Sequence, residues 1–446
     1  MIRVRFAPSP HGHLFVSGAR VALMNFLHAR RHKGHLLLRF DDTDRDRSKP
    51  AYTESILHDL RWLGIAWDET FNQSDRLSLY EEAAQSLIAA GRVYPCFESP
   101  EELRAKQDFR VKRGQSPVYD RAMLRLTPEQ RAAAEAGGKK PHWRFRLSNR
   151  TLEWPDIVLG PRQAKLPAVS DPILIRADGS VAPMLASVVD DMASGITHVI
   201  RAEDNAANTG IQIELFSALG MDPSRLTFGH LPPLGGAEGK AAGLAGRIGS
   251  MSIRALRGDG VQASAIVACL AQPVSQTRVK PGPTAGLAEH FMLSSLSRTN
   301  AKFDTANLLR VNREVLRTTD FADVADRLPS GATEAFWGAV RGHIDLLNEA
   351  RGWWDVVSGT IVPPEMEDER AFLRLAEESL PAEPWDGDVW SAWLAALRES
   401  TGRSGGALIT PLRLALTGEE QGPDLADLLP LIGRARAVGR LGVASG

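Results

Sequence analysis

"RFAPSPHGHLFVSGAR", residues 5–20, decides the fold of this 446-residue chain. Alternating Ile2, Val4 and Phe6 read as a short strand, a Pro- and Gly-containing turn follows, and a helix is expected from about Val16. A strand that feeds a helix through such a turn is how an open α/β sheet holds a phosphorylated ligand. Backbone N–H groups and the positive helix end face the anion there. The side chains standing where phosphate-gripping groups belong are Phe15, Ser17 and Gly18. Further on, "HLLLRF" (35–40) reads as a second, apolar strand, and "FDDTD" (40–44) falls just past its carboxyl end, where α/β ligands bind.

The apolar fraction of 43% and charged fraction of 24% are those of an ordinary soluble chain, long enough for roughly two to four domains. No run approaches the roughly 18 apolar residues of a membrane span. The N-terminus lacks a signal-peptide pattern, so a cytoplasmic location away from membranes is expected. Cys96 and Cys269 stand far apart with no CxxC or Cys/His cluster around them, and a protein zinc site takes about four ligands, so no zinc is expected. The net charge of −1 is uneven: residues 1–320 hold 42 Lys+Arg against 34 Asp+Glu, and residues 321–446 hold 11 against 20. The basic part suits a polyanion and the acidic part does not.

The first 75 residues read as strand 2–6, helix 17–32, strand 35–40 and helix 50–63. Residues 76–180 form a mixed insertion: a helix at 78–91, "VYPCF", a charged helix at 99–113, a Gly/Lys turn at 137–140, and the strand-like "HWRFRL" and "DPILIRADGS". Near Val188 the parallel pattern is expected to resume with "VVDD" and "THVIRAED" (197–204), then a helix at about 207–219. Residues 250–315 read as helical with a Pro-punctuated linker at 272–284, and the remainder as helical and Trp-rich.

"RFAPSPHGHL", "RFDDTDRDRS", "GITHVIRAEDNAANT" and "RIGSMSIRALRGDG" resemble, in order and spacing, the bacterial glutamyl-tRNA synthetases, a class I family. The likeness continues through "VYPCFESPEEL", "PHWRFRL" and "PLRLALTG", nearly the whole chain. It implies an α/β Rossmann-type catalytic domain with an α+β insertion, followed by all-α C-terminal domains. The implied boundaries are 1–75 with 181–249 for the catalytic domain and 76–180 for an acceptor-stem-binding insertion. A connecting helical domain at 250–320 and an anticodon-binding-like domain at 321–446 follow. The implied reaction joins glutamate to ATP and passes the glutamyl group to the 3′ end of tRNA, with magnesium accompanying the ATP.

Fold does not carry function, so each site is read on its own residues. By resemblance, Arg5, Ala7, Ser9, Asp41 and Arg201 match amino-acid-contacting positions, and Gly12, His13, Gly18 and Arg247 match nucleotide-contacting ones. A guanidinium suits a carboxylate because its fork engages both oxygens at once. Both ATP signatures depart from the family pattern. The His-x-Gly-His/Asn string reads Phe15-Val16-Ser17-Gly18, and the Lys-x-Ser-Lys-Arg loop reads "GKAAGLAGRIGS", with Ala245 and Gly246 at the Ser-Lys positions and only Arg247 kept. Arg247, Lys240 and His11 (where the family has Thr) are the remaining catalytic candidates. Pro183 replaces a pocket tyrosine, while Ala202 and Asn205 stand where the family has Gly and His. Departures gather at the ligands while scaffold strings survive, which points to relaxed or redirected chemistry on a maintained fold.

Blander roles compete with these. Arg5 and Arg201 also fit strand-end ion pairs; Asp41, Asp42 and Asp44 also fit caps of the next helix, a role favoured for Asp44. His11 and His13 also fit a solvated loop. "GGAEGK" (235–240) lacks the P-loop form. Trp353, Trp354, Trp385, Trp390 and Trp393 fit a helical core. The favoured reading is a family member with aminoacylation lost or strongly reduced; a glutamate–tRNA ligase with unusual signatures, a non-catalytic paralogue binding an amino acid, tRNA or a protein, and a ligase with a different acceptor or nucleotide stay open. Expected partners are glutamate or a similar amino acid and tRNA, the latter held weakly through residues 1–320 because "GRSGG" (402–406) lacks the family's lysines. A monomer is expected.

Overall fold

The structure, a computed structural model, describes residues 1–235, 251–272, 279–385 and 388–445. They divide into two compact units, the first holding the described residues up to 235 with 251–254 and most of 267–303, the second holding 255–266 and those from 304 onward.

In the first unit, β1 (Arg3–Phe6), α1 (Val16–Arg31), β2 (His35–Phe40), α2 (Pro50–Trp62) and β3 (Glu69–Asn72) build a parallel sheet ordered β1-β2-β3. β2 is buried from Leu36 through Phe40, which is why it reads as an unbroken apolar run rather than an alternation. α1 turns Val16, Ala19, Leu23, Phe26 and Leu27 into the core. Each large side chain among them contributes about 1.5–3 kcal/mol of burial. The exit from α1 into β2 needs Gly34, since a Cβ there would lie 2.4 Å from the carbonyl oxygen of Ile2.

Residues 77–175 contain α3 (Leu77–Ala89), β4 (Val93–Cys96), α4 (Pro100–Lys112), α5 (Pro128–Ala136), β5 (His142–Phe145), β6 (Thr151–Asp156), β7 (Gly160–Lys165) and β8 (Ile173–Ile175). β4, β5 and β8 form an antiparallel sheet. α4 and α5 bury no side chain and are fixed at their starts by capping boxes, Ser99 with Glu102 and Thr127 with Gln130.

α6 (Pro183–Ala193), β9 (His198–Ala202), α7 (Ala206–Ala218) and β10 (Thr227–Leu231) return the chain to the parallel core, where a second sheet runs β7-β6-β10-β9. The strand expected at "VVDD" is helix instead. Leu185, Ala186, Val188 and Val189 follow helical spacing, and Pro183 sits in the first turn of α6. β1 and β9 lie side by side along a seam. The Thr197 N–H donates to the Arg3 carbonyl at 2.9 Å, but no ladder joins the two strands among the described residues. Strand order reverses there, making the seam the topological switch point.

Past residue 250 come α8 (Ile253–Gly258) and α9 (Ala263–Ala271), but 284–290 and 293–295 are only short 3₁₀ turns. Pro281 and Pro283 interrupt the helix expected over 250–315. Much of the expected linker at 272–284 lies outside the described residues.

In the second unit are α10 (Thr305–Thr318), α11 (Glu334–Val340), α12 (Ala350–Ser358), α13 (Arg370–Ser379), α14 (Val389–Thr401), α15 (Gly406–Thr417), α16 (Leu425–Ile432) and α17 (Arg434–Ala444). Trp337 and Trp393 are fully buried, with indole N–H groups donating to the carbonyls of Thr319 and Ala376, and Trp353, Trp354, Trp385 and Trp390 pack against the same core. The tryptophans are core, as their helical setting suggested. Two arginines that a nucleic acid would want are engaged within the fold: Arg403 stacks on Phe372 and pairs with Glu369, and Arg413 donates to the Pro423 carbonyl.

Candidate active site

At the seam, the ends of β1, β2 and α6 bring an ionic cluster together. Arg5 Nε faces both oxygens of Asp191 at 3.1 and 3.2 Å, and Arg39 Nη1 donates to the same carboxylate at 2.9 Å. Arg39 also holds Asp41, with Nε to Oδ1 at 2.7 Å. Asp190 next door accepts from Gln73, Arg76 and the Tyr80 hydroxyl. Burial, then Asp190, pushes the Tyr80 phenol above its usual range, so it stays a donor. Arg5 is thus ion-paired inside the protein through its Nε edge, and Asp41 through Arg39. Arg39, Asp190 and Asp191 were missed by sequence reasoning; the only signal was a carboxylate pair inside the apolar run "LASVVDDMA".

None of Asp41, Asp42 and Asp44 caps α2, correcting that expectation. Its N-cap is Lys49, which makes no side-chain cap. Asp42 accepts from the Ser74 N–H and hydroxyl, and Asp44 pairs with Arg47. The turn between β2 and α2 is long enough that the aspartates reach their neighbours before the helix begins.

The turn after β1 carries Ala7, an exposed Ser9 and Gly12, whose surroundings are open. His13 bonds Ser55 at 2.9 Å and packs edge-on against Tyr52, so it faces α2 rather than a ligand. His11 Nε2 is buried with no hydrogen-bond partner. Phe15 is the N-cap of α1, extended, 37% exposed, and offers no side-chain cap. The first helical N–H, of Val16, donates to the Met251 carbonyl at 3.1 Å, and Ile253 N–H returns to Leu14. Gly18 packs close, a Cβ there reaching 3.0 Å from Leu14.

Beside this turn lies a cleft of about 350 Å³ between α1 and the carboxyl ends of β9 and β10, lined by Ser17, Arg20, Ala202, Glu203, Asp204 and Leu231 among others. Its size is that of a small-ligand pocket. Among the described residues its lining cation is Arg20, which donates Nη1 to the Pro232 carbonyl at 2.6 Å. Lys240, Ala245, Gly246 and Arg247, with nearly all of "GGAEGK", lie outside the described residues.

Arg201 differs from Arg5. It makes no ion pair among the described residues; its Nε donates to His230 Nε2 at 3.1 Å and its Nη2 to Thr209 Oγ1 at 2.8 Å. His230 is fully buried and its Nδ1 meets Asp156 at 2.5 Å. Burial, with Arg5 close by, pulls the Arg201 guanidinium down to about 9, the mark of a cation short of counter-charge. Asp156, Thr209 and His230 are the other residues sequence reasoning missed. No group of three or more His, Cys, Asp or Glu among the described residues is arranged for a metal ion. No described helix is long and apolar enough to cross a membrane.

The sequence profile of the class I (E and Q) tRNA synthetase catalytic domain matches residues 1–309, and that of an anticodon-binding domain matches 363–444. A protein of Granulibacter bethesdensis called glutamate–tRNA ligase 2 is 54% identical over 447 residues, covering 100% of this chain and 99% of its own. One of Gluconacetobacter diazotrophicus with the same name is 52% identical, covering 100% of both chains. The crystal structure of a glutamate tRNA ligase from Elizabethkingia meningosepticum in complex with its amino acid superimposes with a TM-score of 0.84 at 23% identity, over 100% of this chain and 99% of that one.

Proposed function

Because this chain belongs to the class I (E and Q) tRNA synthetase family, we propose that it takes that family's substrates, glutamate, ATP and tRNA, with a strongly slowed adenylate-forming step. Arg201 meets a carboxylate of the amino acid, and Asp41 lies on the side of its ammonium group. Residues 76–180 take the acceptor stem. The cleft beside α1 takes the adenosine, and magnesium travels with the ATP phosphates.

The observation that carries the slowed step is the first turn of α1. Phe15 brings no donor, Ser17 adds a Cβ to the cleft wall, and the Val16 N–H already serves Met251. One lost preorganised donor costs about 10²–10³ in rate, and two uncompensated losses cost on the order of 10⁴ or more. Full-length identity above 50% to proteins called glutamate–tRNA ligase favours a second reading, a ligase at ordinary speed.

Pyrophosphate exchange dependent on glutamate and tRNA separates the two. Exchange near background is expected, rising measurably in Phe15→His/Ser17→Gly/Gly246→Lys. Turnover of the unaltered chain at about 1 per second or faster would overturn the slowed step.

A further inference from the structure

We propose that Asp156, His230 and Thr209 form a buried line that presents the outer edge of the Arg201 guanidinium to a carboxylate, making His230 a positioning residue for the anionic ligand. The proposal rests on the preceding assignment of Arg201 to the amino acid.

The argument is one of donors and acceptors. Arg Nε–H can only donate, so the His230 Nε2 that meets it must accept. The imidazole proton therefore sits on Nδ1 and is given to Asp156, whose carboxylate also accepts from the Val158, Leu159 and His230 N–H groups. The Thr209 hydroxyl oxygen accepts from Arg201 Nη2 and lies 3.0 Å from the same His230 nitrogen, closing the ring of contacts. The Nε–Nη2 edge of Arg201 is thereby held within the protein. Among the described residues the Nη1–Nη2 edge stays available, and it can grip a carboxylate with two parallel bonds. The group held there is a carboxylate, either the α- or the side-chain carboxylate of the amino acid.

The line works only while His230 is neutral. Protonation turns Nε2 into a donor aimed at Arg201 Nε–H. The charged groups facing the ring are Asp156 on β6, Arg162 on β7 and Arg201 on β9; burial and the two arginines oppose protonation against Asp156. His230 therefore stays neutral below the ordinary imidazole range, and the line holds through mild acidification.

Calorimetric titration of the full chain with L-glutamate at pH 7.5 tests this. Glutamate should bind. Thr209→Val and His230→Phe should each weaken glutamate about tenfold, the loss of one hydrogen bond to a charged group. His230→Gln, whose side-chain oxygen can accept from Arg201, should restore most affinity. Unchanged affinity in Thr209→Val, or an affinity in His230→Gln no better than in His230→Phe, would overturn the line. If glutamate fails to bind at all, the assignment of Arg201 to the amino acid fails. The line is then judged by ¹⁵N spectra: an Arg201 Nε–H that exchanges slowly with water, and faster in His230→Phe, supports it, and equal exchange overturns it.

Discussion

Asp191→Asn tests whether the seam is held by charge. Asp191 is the only carboxylate paired with Arg5 among the described residues, and it shares Arg39 with Asp41 and Asp190. All of Arg5, Arg39 and Asp191 are nearly closed to solvent, at 5%, 1% and 3% exposure. Removing one partner of such a pair leaves a buried cation uncompensated, which costs about 3–5 kcal/mol. Asn can still accept a hydrogen bond, so the lower end applies. At about 2–4 °C per kcal/mol for a unit of this size, the melting temperature should drop by about 6–12 °C. The same change at Asp44, whose pair with Arg47 is open to water, should leave it nearly unchanged, since water screens exposed pairs. Scanning calorimetry of both variants decides. Equal melting temperatures for Asp191→Asn and Asp44→Asn would show that the cluster is not what binds β1 to α6.

His28 governs acid stability. It is buried without a hydrogen-bond partner, and burial first, then His198, His32 and Arg31, pull it down to about 3. The unfolded chain gains this proton near pH 6.5, so the contribution is full above that pH and is lost as pH falls from 6.5 toward 3. His28→Phe should flatten the fall in melting temperature between pH 6.5 and 4; an unchanged slope refutes the assignment. For tRNA, the acidic second unit and the engaged Arg403 and Arg413 predict few phosphate contacts. Log affinity against log salt should be shallower than about −3, at about −0.7 to −0.9 per contact, and a slope near −6 would place many cations on the RNA.

Local pattern makes the first unit's elements legible. β1, α1, β2 and α2 each carry a period, a cap or a turn signal within their own residues, and their observed bounds fall within a residue or so of expectation. Short apolar runs defeat the same logic. "VVDD" reads equally as strand or helix until Pro183 and the spacing back to Leu185 are weighed. The site is half legible for a related reason. Arg5, Asp41 and Arg201 stand in recognisable strings, but the carboxylate that Arg5 meets, Asp191, lies 186 residues away. Asp156 and His230 are 74 residues apart and have no shared motif. Only the pairing of β6 with β10 brings them together.

The seam between β1 and β9 also sets an order of events during synthesis. β1 can pair with β2 once about forty residues have emerged, but its other edge waits for β9, beyond residue 197. At roughly 5–20 residues per second, that interval is on the order of ten seconds. Throughout it the outer edge of β1 lacks its Thr197 bonds, and Arg5 lacks Asp191. An edge strand bearing a charge is poorly suited to pairing with a second chain. The charge of Arg5, which meets Asp191 only once α6 has formed, is of the kind that blunts such an edge.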